Sequence, residues 1–130
     1  MKGFVKWLVT VLPLIYMVAI WVMSSLPDTA VMALPDRGLD RFIKESLHLV
    51  EFALLYVLFV GALWVQGKFT ARTNIIFALL AGFYGLTDEI HQSFIPARSA
   101  TVIDFVKDIT GVAVCFWIIT RSSFYKRSVK

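Results

Sequence analysis

The fold of this chain is decided around residues 87–108, TDEIHQSFIPARSATVIDFVKD, where carboxylates, a histidine and an arginine gather between two apolar stretches. Those stretches, residues 74–92 and 102–120, are each long enough to cross a lipid bilayer as one helix, which takes about 20 residues. The charges lie at the end of the first stretch and in the first two turns of the second. We therefore predict that two spanning helices meet at a polar site on one side of a membrane.

The composition argues against an ordinary soluble domain. Hydrophobic residues make up 58% of the 130 residues and charged residues 17%, with a mean hydropathy of +0.75. Average globular domains are about 45–50% apolar and about 25% charged, and a soluble domain of this size has too little interior to hide the excess. We predict a membrane protein with one domain, residues 1–130.

Four apolar stretches are predicted to be transmembrane helices: residues 5–23, 47–65, 74–92 and 102–120. Helices are expected because lipid offers the backbone no hydrogen bonds and so short a chain could not close a barrel of strands. The first stretch is longer than the ~7–15 residues of a signal-peptide core, so we expect the mature protein to keep it. The fold class is therefore all-α, with its longest outer loop over residues 24–42.

Basic residues are distributed unequally between the predicted loops. The side of both termini holds Lys2, Lys6, Lys68, Arg72, Arg121, Lys126, Arg127 and Lys130, whereas the opposite loops hold Arg37, Arg41 and Arg98. All 9 acidic residues fall on that opposite half. The positive-inside rule then places both termini in the cytoplasm. The pI is about 9.4. We explain the excess of basic residues by contact with the anionic lipids of the cytoplasmic leaflet and expect no nucleic-acid partner.

Polar residues recur at helical spacing at the outer end of the second span. Lys44, His48 and Glu51 follow one another at i, i+4 and i+7 and therefore share one face of a helix. An ionisable group at the centre of a bilayer costs about 2.5–3.5 kcal/mol, so this face should point at other polar groups rather than at lipid.

The third and fourth spans supply such groups at the same depth. In the third span Tyr84, Asp88 and either His91 or Gln92 share one face. In the fourth, Asp104, Asp108 and Gly111 do the same. We predict a polar pocket at the outer leaflet between these helices. Its ligand-binding candidates are Lys44, His48, Glu51, Asp88, Glu89, His91, Gln92, Arg98, Asp104 and Asp108.

Parts of this pocket also have purely structural explanations. His48 and Glu51 could form a hydrogen-bonded pair that joins two helices. Asp104 and Lys107 could form an interfacial ion pair, and Arg98 could lie among lipid phosphates. These explanations do not require so many ionisable groups on one side, whereas ionisable residues inside a span are candidates for function by default.

Two kinds of chemistry are compatible with these residues. His48-x-x-Glu51 and Asp88-x-x-His91 each place a nitrogen and an oxygen ligand on one helical face, as in metal sites of helical bundles. The order in the second span differs from the usual one, so no metal or other cofactor is assigned. Acid–base catalysis on a lipid-linked substrate would use a histidine with a neighbouring carboxylate, with Glu89, His91 and Asp88 as catalytic candidates.

Binding of a ligand without a chemical reaction requires the least precise arrangement of these side chains. No serine or cysteine lies in a recognisable nucleophile motif. An acidic, hydrogen-bonding pocket at headgroup depth would hold a cationic, sugar or peptide headgroup, and we favour this hypothesis over an enzyme. A structural helper of a larger complex is the third hypothesis. It predicts that pocket residues tolerate neutral replacement.

The same residues resemble the motifs of a known family. The third-span sequence Asp88-Glu89-Ile90-His91-Gln92-x-Phe94-x-Pro96-Ala97-Arg98, followed by Asp104 and Gly111, is similar to the signature of the VanZ-like family of small bacterial membrane proteins. Lys44-x-x-x-His48-x-x-Glu51-Phe52 resembles its second-helix motif, and Ser24-Ser25 the serine pair that ends its first helix. The chain departs from the family at Ala97, where glycine is usual, at Asp108, where asparagine is usual, and at Phe52, which is often tyrosine.

The resemblance implies a multi-pass protein of the bacterial cytoplasmic membrane. The founding member of the family is associated with low-level resistance to teicoplanin, a lipid-bearing glycopeptide antibiotic. The implied partners are membrane lipids and either a lipoglycopeptide antibiotic or a lipid-linked precursor of the cell envelope. We therefore expect the pocket to bind an amphiphile or an envelope-lipid headgroup, with a small membrane enzyme as the alternative.

Overall fold

The computed structural model describes residues 2–31, 33–98 and 100–129, and the elements in these ranges are all helical. They are α1 (Lys2–Ser24), α2 (Asp28–Val31), α3 (Arg37–Val65), α4 (Ala71–Gln92), α5 (Val102–Arg121) and α6 (Ser123–Ser128). Four of these helices are long, and each contains one of the four predicted spans. The prediction of an all-helical fold with four long helices is confirmed.

Two of the long helices meet a test of membrane-spanning ability by length and composition. They are α1 and α3, and the best window of each has a mean hydropathy of 2.0. Buried Pro13 lies inside α1, which continues through it. The helices α4 and α5 are shorter, and acidic residues of the predicted pocket lie near the C-terminal end of α4 and in the first two turns of α5.

The third helix begins earlier than the sequence analysis predicted. It starts at Arg37 because Asp36 caps it: the Asp36 carboxylate accepts hydrogen bonds from the backbone N–H groups of Gly38 at 2.8 Å and Leu39 at 3.1 Å. The prediction of a loop over residues 24–42 is therefore wrong in its extent, since the connection contains α2 and the first turns of α3.

The centre of the fold is α3, which packs against α1, α4 and α5. Its inward face supplies most of the buried apolar core: Phe52, Leu55, Tyr56, Phe59, Val60 and Leu63. The hydroxyl of Tyr56 donates a buried hydrogen bond of 2.6 Å to Asn74 Oδ1 on α4. One aromatic residue thus contributes both apolar burial and a polar link between two helices.

Glycines set how closely the helices approach. A Cβ atom added at Gly111 of α5 would overlap the backbone carbonyl oxygen of Leu49 on α3, and one added at Gly85 of α4 would lie 3.3 Å from Asp108 Cβ. Small residues allow helix backbones to come close in this way. The two glycines therefore fix the α3–α5 and α4–α5 contacts at the depth of the acidic residues.

The distribution of polar and apolar residues is inverted relative to a soluble protein. Large apolar side chains face outward along the long helices, among them Leu79, Phe83 and Val102, which are 69%, 68% and 78% exposed. Buried polar and charged residues lie inside: Ser24, Asn74, Asp88, Glu89, Gln92 and Asp108. Extended apolar surfaces mark sites of contact with a membrane or another protein.

Candidate functional site

Three helices bring one histidine and two carboxylates together near the C-terminal end of α4. His48 Nδ1 on α3 lies 3.6 Å from Asp108 Oδ1 on α5 and 3.9 Å from Glu89 Oε1 on α4. One ligand atom from each residue can be chosen so that all lie within 4.8 Å of one another. We call His48, Glu89 and Asp108 the three-helix cluster.

The polar atoms of this cluster are buried without hydrogen bonds. Within the described residues, no partner is found for His48 Nδ1 or for either carboxylate oxygen of Glu89 and Asp108. The side chains of Glu89 and Asp108 are 7% and 0% exposed. Buried polar groups are almost always hydrogen-bonded, and each exception requires a physical explanation.

A second polar group lies beside the cluster and joins α4 to α1. Gln92 Nε2 donates to Asp88 Oδ2 at 2.6 Å and to the hydroxyl of Ser24 at 3.3 Å, and all three residues are buried. The polar face that begins at Asp88 therefore continues at Gln92, one of the two residues that the sequence analysis left open.

His91 has different neighbours. Its ring stacks on Trp21 of α1 with centroids 3.9 Å apart, and its Nε2 atom lies 2.9 Å from the hydroxyl of Ser25. Which of the two atoms donates depends on the tautomer of the ring. His91 thus packs against the end of α1, as Gln92 does, but it contacts Trp21 and Ser25 rather than Ser24. Neither His48–Glu51 nor Asp88–His91 forms the buried group of potential metal ligands, which is instead the three-helix cluster.

A cavity of about 280 Å³ opens between α1, α3 and the segment after α4. We call it the Lys44–Arg98 pocket. Its lining consists of Tyr16, Ala19, Ile20, Met23, Lys44, Leu47, His48, Val50, Glu51, Leu54 and Arg98. Lys44, His48 and Glu51 line it together, as the helical spacing predicts. His48 is also a member of the three-helix cluster, so the two sites share one side chain.

The arginine of the pocket is positioned by the end of α1. Its Nη1 atom donates to the backbone carbonyl oxygens of Leu26 at 2.9 Å and of Met23 at 3.4 Å. Arg98 follows Ala97, whose φ of +60° places it in the left-handed region. This turn directs the chain from α4 back toward the end of α1, which explains how a residue beyond α4 reaches a pocket formed mainly by α1 and α3.

Charged residues in the N-terminal parts of α3 and α5 form a separate network. Lys107 Nζ lies 3.5 Å from both Glu45 Oε2 and Asp104 Oδ1, and the hydroxyl of Thr101 donates to Asp104 Oδ2 at 2.7 Å. The pKa of Glu45 is lowered by a hydrogen bond from Arg41 and by the charge of Lys107. Asp104 therefore belongs to this network and is not among the residues that line the Lys44–Arg98 pocket.

Lys44 forms an ion pair with Asp40, which lies one turn earlier on α3. Its ammonium group lies 2.8 Å from Asp40 Oδ2. The hydrogen bond from Lys44 and another from the backbone of Leu34 hold the pKa of Asp40 below its usual range. Asp40 thus fixes a cation at the mouth of the pocket.

Sequence reasoning did not assign Tyr16 and Ser24 to the site on chemical grounds. Tyr16 lines the pocket and donates a hydrogen bond of 3.2 Å to the backbone oxygen of Glu51. A hydroxyl in the middle of an apolar span, which must find a partner away from lipid, was the signal that could have identified Tyr16. Ser24 could have been identified by its place at the end of the first span, at the depth of the acidic groups.

The chain matches the model of a known protein family. The family model VanZ/LLP1 matches residues 4–124, which is nearly the whole chain and includes every residue of the three-helix cluster and the Lys44–Arg98 pocket. Neither a comparison with curated proteins nor one with solved structures finds a significant match. The resemblance carried by the motifs around His48 and Glu89 is thereby confirmed, and the chain belongs to the VanZ/LLP1 family.

Proposed function

We propose that this chain is a four-span protein of the bacterial cytoplasmic membrane whose Lys44–Arg98 pocket binds the headgroup of an envelope lipid or another amphiphile. One observation carries the proposal: the pocket combines two cations, an imidazole and a carboxylate with an apolar wall that includes Ile20, Leu47 and Leu54. An amphiphile has the same division between a charged headgroup and an apolar chain. Arg98 and Lys44 suit an anionic group such as phosphate, and Glu51 suits amines or sugar hydroxyls.

The apolar exterior supports this location in the membrane. A helix rises about 1.5 Å per residue, so the 29 residues of α3 extend about 44 Å, beyond the ~30 Å hydrocarbon core of a bilayer. With both termini in the cytoplasm, the surplus at the N-terminal end of α3 projects outward. Lys44 then lies at the depth of the outer headgroups, where it meets the charged part of a lipid.

The binding test uses purified chain in detergent and a short-chain lipid. Dihexanoyl phosphatidylglycerol is titrated into wild-type protein and into Lys44→Gln and Arg98→Gln variants, with calorimetry as the readout. A hydrogen bond to a charged group contributes about 1.5–3 kcal/mol, so each variant should bind at least about tenfold more weakly. Lys68→Gln is the matched control, because Lys68 lies at the opposite end of α3. Equal binding by all four proteins would contradict the proposal.

The physiological consequence of such binding would be reduced susceptibility to teicoplanin-type antibiotics. A Gram-positive host that expresses the wild-type chain should tolerate more teicoplanin, with its susceptibility to vancomycin unchanged. The protection should fall in Arg98→Ala and Glu51→Gln variants that reach the membrane in equal amounts. Protection that survives both substitutions would separate resistance from the pocket.

A second candidate function is acid–base catalysis on a lipid-linked substrate. The observation that favours it is the double role of His48, which lines the pocket and lies 3.6 Å from Asp108 Oδ1. A histidine with a neighbouring carboxylate can move a proton to or from a bound ligand. This geometry favours His48 for the acid–base role over His91, which packs on Trp21.

Catalysis is tested by incubating the purified chain with a total lipid extract of a Gram-positive bacterium. Mass spectrometry then follows lipid species over time, with a His48→Gln variant as the control. A lipid that is consumed only by the wild-type protein supports an enzyme. Identical lipid profiles leave binding as the function of the pocket.

A further inference from the structure

We propose that the three-helix cluster is a binding site for one divalent transition-metal ion. His48, Glu89 and Asp108 come from three different helices, and each points a ligand atom at a common centre, with all three atoms within 4.8 Å of one another. Glu89 and Asp108 are more than nine-tenths buried, and within the described residues their oxygens and His48 Nδ1 make no hydrogen bond. The side chains thus lie close together without a hydrogen bond between them.

The spacing of the ligand atoms suits an ion better than direct hydrogen bonds. The separations of 3.6 Å and 3.9 Å from His48 Nδ1 to the two carboxylates exceed hydrogen-bond length. An ion with bonds of about 2.0–2.2 Å holds neighbouring ligands ~3–3.5 Å apart. The three ligand atoms lie within 4.8 Å of one another, so side-chain shifts of up to about an ångström would close the site around an ion.

The buried charges of the cluster give a second reason to expect a bound cation. Two carboxylates that are buried together repel one another and lose their hydration, which is costly unless the charges are compensated. A divalent cation cancels the charges of Glu89 and Asp108 and occupies the lone pairs that lack donors. Neutral His48 then serves as the third ligand through Nδ1.

The ligand types indicate the class of metal. Imidazole suits zinc, iron, nickel and copper, whereas carboxylates suit manganese, magnesium and calcium. A set of one imidazole and two carboxylates is therefore best matched by Mn²⁺ or Zn²⁺. The site stands independently of the ligand of the Lys44–Arg98 pocket, although His48 would place the ion at the inner wall of that pocket.

The test measures metal binding directly in the absence of lipid. Wild-type chain is purified in detergent without a polyhistidine tag and stripped with a chelator. It is then titrated with MnCl₂ or ZnSO₄, and the retained metal is counted by mass spectrometry. We expect about one equivalent per chain, and affinity lowered by more than about 100-fold in Glu89→Gln and Asp108→Asn, because each variant loses a direct ligand, whereas loss of an outer partner alone costs 10–100-fold.

The matched control is Asp104→Asn, which makes the same chemical change as Asp108→Asn one turn earlier on α5. Asp104 lies within the Thr101–Lys107 network, so this variant should bind metal as the wild type does.

A second measurement guards against misfolded variants. Without metal, Glu89→Gln and Asp108→Asn should melt at the same temperature as the wild type or higher, since each removes a buried charge, yet metal should raise only the melting temperatures of the wild type and Asp104→Asn. Absence of metal binding by folded wild type, or equal affinity in all variants, would overturn the proposal. Either result leaves lipid binding by Lys44 and Arg98 untouched.

Discussion

At the scale of single residues, Ala97 is strained by the turn that leads to Arg98. Its φ of +60° lies in the left-handed region, where a side chain costs an L-residue about 1–2 kcal/mol. Glycine, the usual residue here in the family that the motifs resemble, avoids this cost but loses more backbone entropy on folding. We expect Ala97→Gly to stabilise the chain by about 1 kcal/mol, measured as a higher melting temperature in detergent.

Ala100 provides the control for this substitution. It lies in the same connection between α4 and α5, and among the described residues Ala97 is the only residue other than glycine with a positive φ. Ala100→Gly should therefore gain nothing from relieved strain and should lower stability slightly. If both substitutions lower the melting temperature equally, Ala97 is not strained.

Single residues also show where sequence reasoning reaches its limit. Helical spacing predicts that Lys44, His48 and Glu51 share a face, and all three line one pocket. The same spacing leaves His91 and Gln92 as alternatives, because positions three and four residues after Asp88 both lie near its face. The choice depends on how α4 is rotated against α1, where Gln92 meets Ser24 and His91 meets Trp21. Packing between helices decides that rotation.

At the scale of helices, the first turns of α3 depend on carboxylates that are sensitive to acid. The hydrogen bond from Lys44 lowers the pKa of Asp40 from its ordinary value of 3.8. A carboxylate whose folded pKa is lowered contributes stability that is present above its unfolded pKa and is lost as the pH falls through the folded pKa. We therefore expect residues 37–46 to fray below about pH 4, while the rest of α3 stays ordered.

Hydrogen exchange measures this local fraying. Protection factors, corrected for the intrinsic pH dependence of exchange, should fall for the amides of residues 37–46 between pH 6 and pH 3. Asp40→Asn should show the lower protection already at pH 6, and its dependence on pH should be reduced. Constant protection in the wild type across this range would show that the Asp40–Lys44 pair does not stabilise the helix end.

The contact between α3 and α5 depends on Gly111. A Cβ atom at this position would overlap the backbone oxygen of Leu49, and a backbone atom cannot move aside as a flexible side chain could. Gly111→Ala should force the helices apart and destabilise the chain by about 1–3 kcal/mol, the usual cost of overpacking. The substitution should also weaken the binding of any ligand or metal ion that contacts Asp108, because Asp108 lies one turn from Gly111.

Gly61 is the matched control on α3. A Cβ atom there would lie 3.9 Å from a side-chain carbon of Val9, which is ordinary contact. Gly61→Ala should raise stability by up to about 1 kcal/mol, because alanine favours a helix over glycine. Thermal unfolding in detergent distinguishes the two substitutions by the sign of their effect. A small effect of Gly111→Ala would mean that the α3–α5 contact is looser than described.

The bounds of α3 illustrate which features of helices hydropathy can predict. Apolar content predicts the segment 47–65, because that is where lipid or a core must be met. The helix begins at Arg37 instead, because the Asp36 cap and the pairs Asp40–Lys44 and Arg41–Glu45 stabilise polar turns outside that segment. The cap and the ion pairs could be read from the sequence, but they indicate where a helix begins and not where it enters the membrane.

At the scale of the whole molecule, the number and order of the long helices follow from hydropathy alone. The meeting of His48, Glu89 and Asp108 does not, because it depends on the rotations and separations of three helices. Gly85 and Gly111 set those separations through backbone approaches that no periodicity reveals. The region where polar groups of the second, third and fourth spans meet was therefore predictable, whereas the pairing of individual residues there was not. The Lys44–Arg98 pocket opens instead between α1, α3 and the segment after α4, and the sequence analysis did not predict a part for α1.

The orientation of the chain in the membrane is the last prediction, and it concerns the molecule as a whole. With both termini in the cytoplasm, the connection before α3 faces outward and the connection between α3 and α4 faces inward. In a Cys115→Ser background, we expect an impermeant maleimide to label Asp36→Cys in intact cells and to leave Lys68→Cys unlabelled, since both positions are exposed but lie at opposite ends of α3. Permeabilised cells, in which both variants should be labelled, control for reactivity. The reverse pattern in intact cells would turn the Lys44–Arg98 pocket toward the cytoplasm. In that orientation the pocket could bind an inner-leaflet lipid but could not meet an antibiotic that acts outside the cell, so a single labelling experiment decides which ligands the pocket can reach.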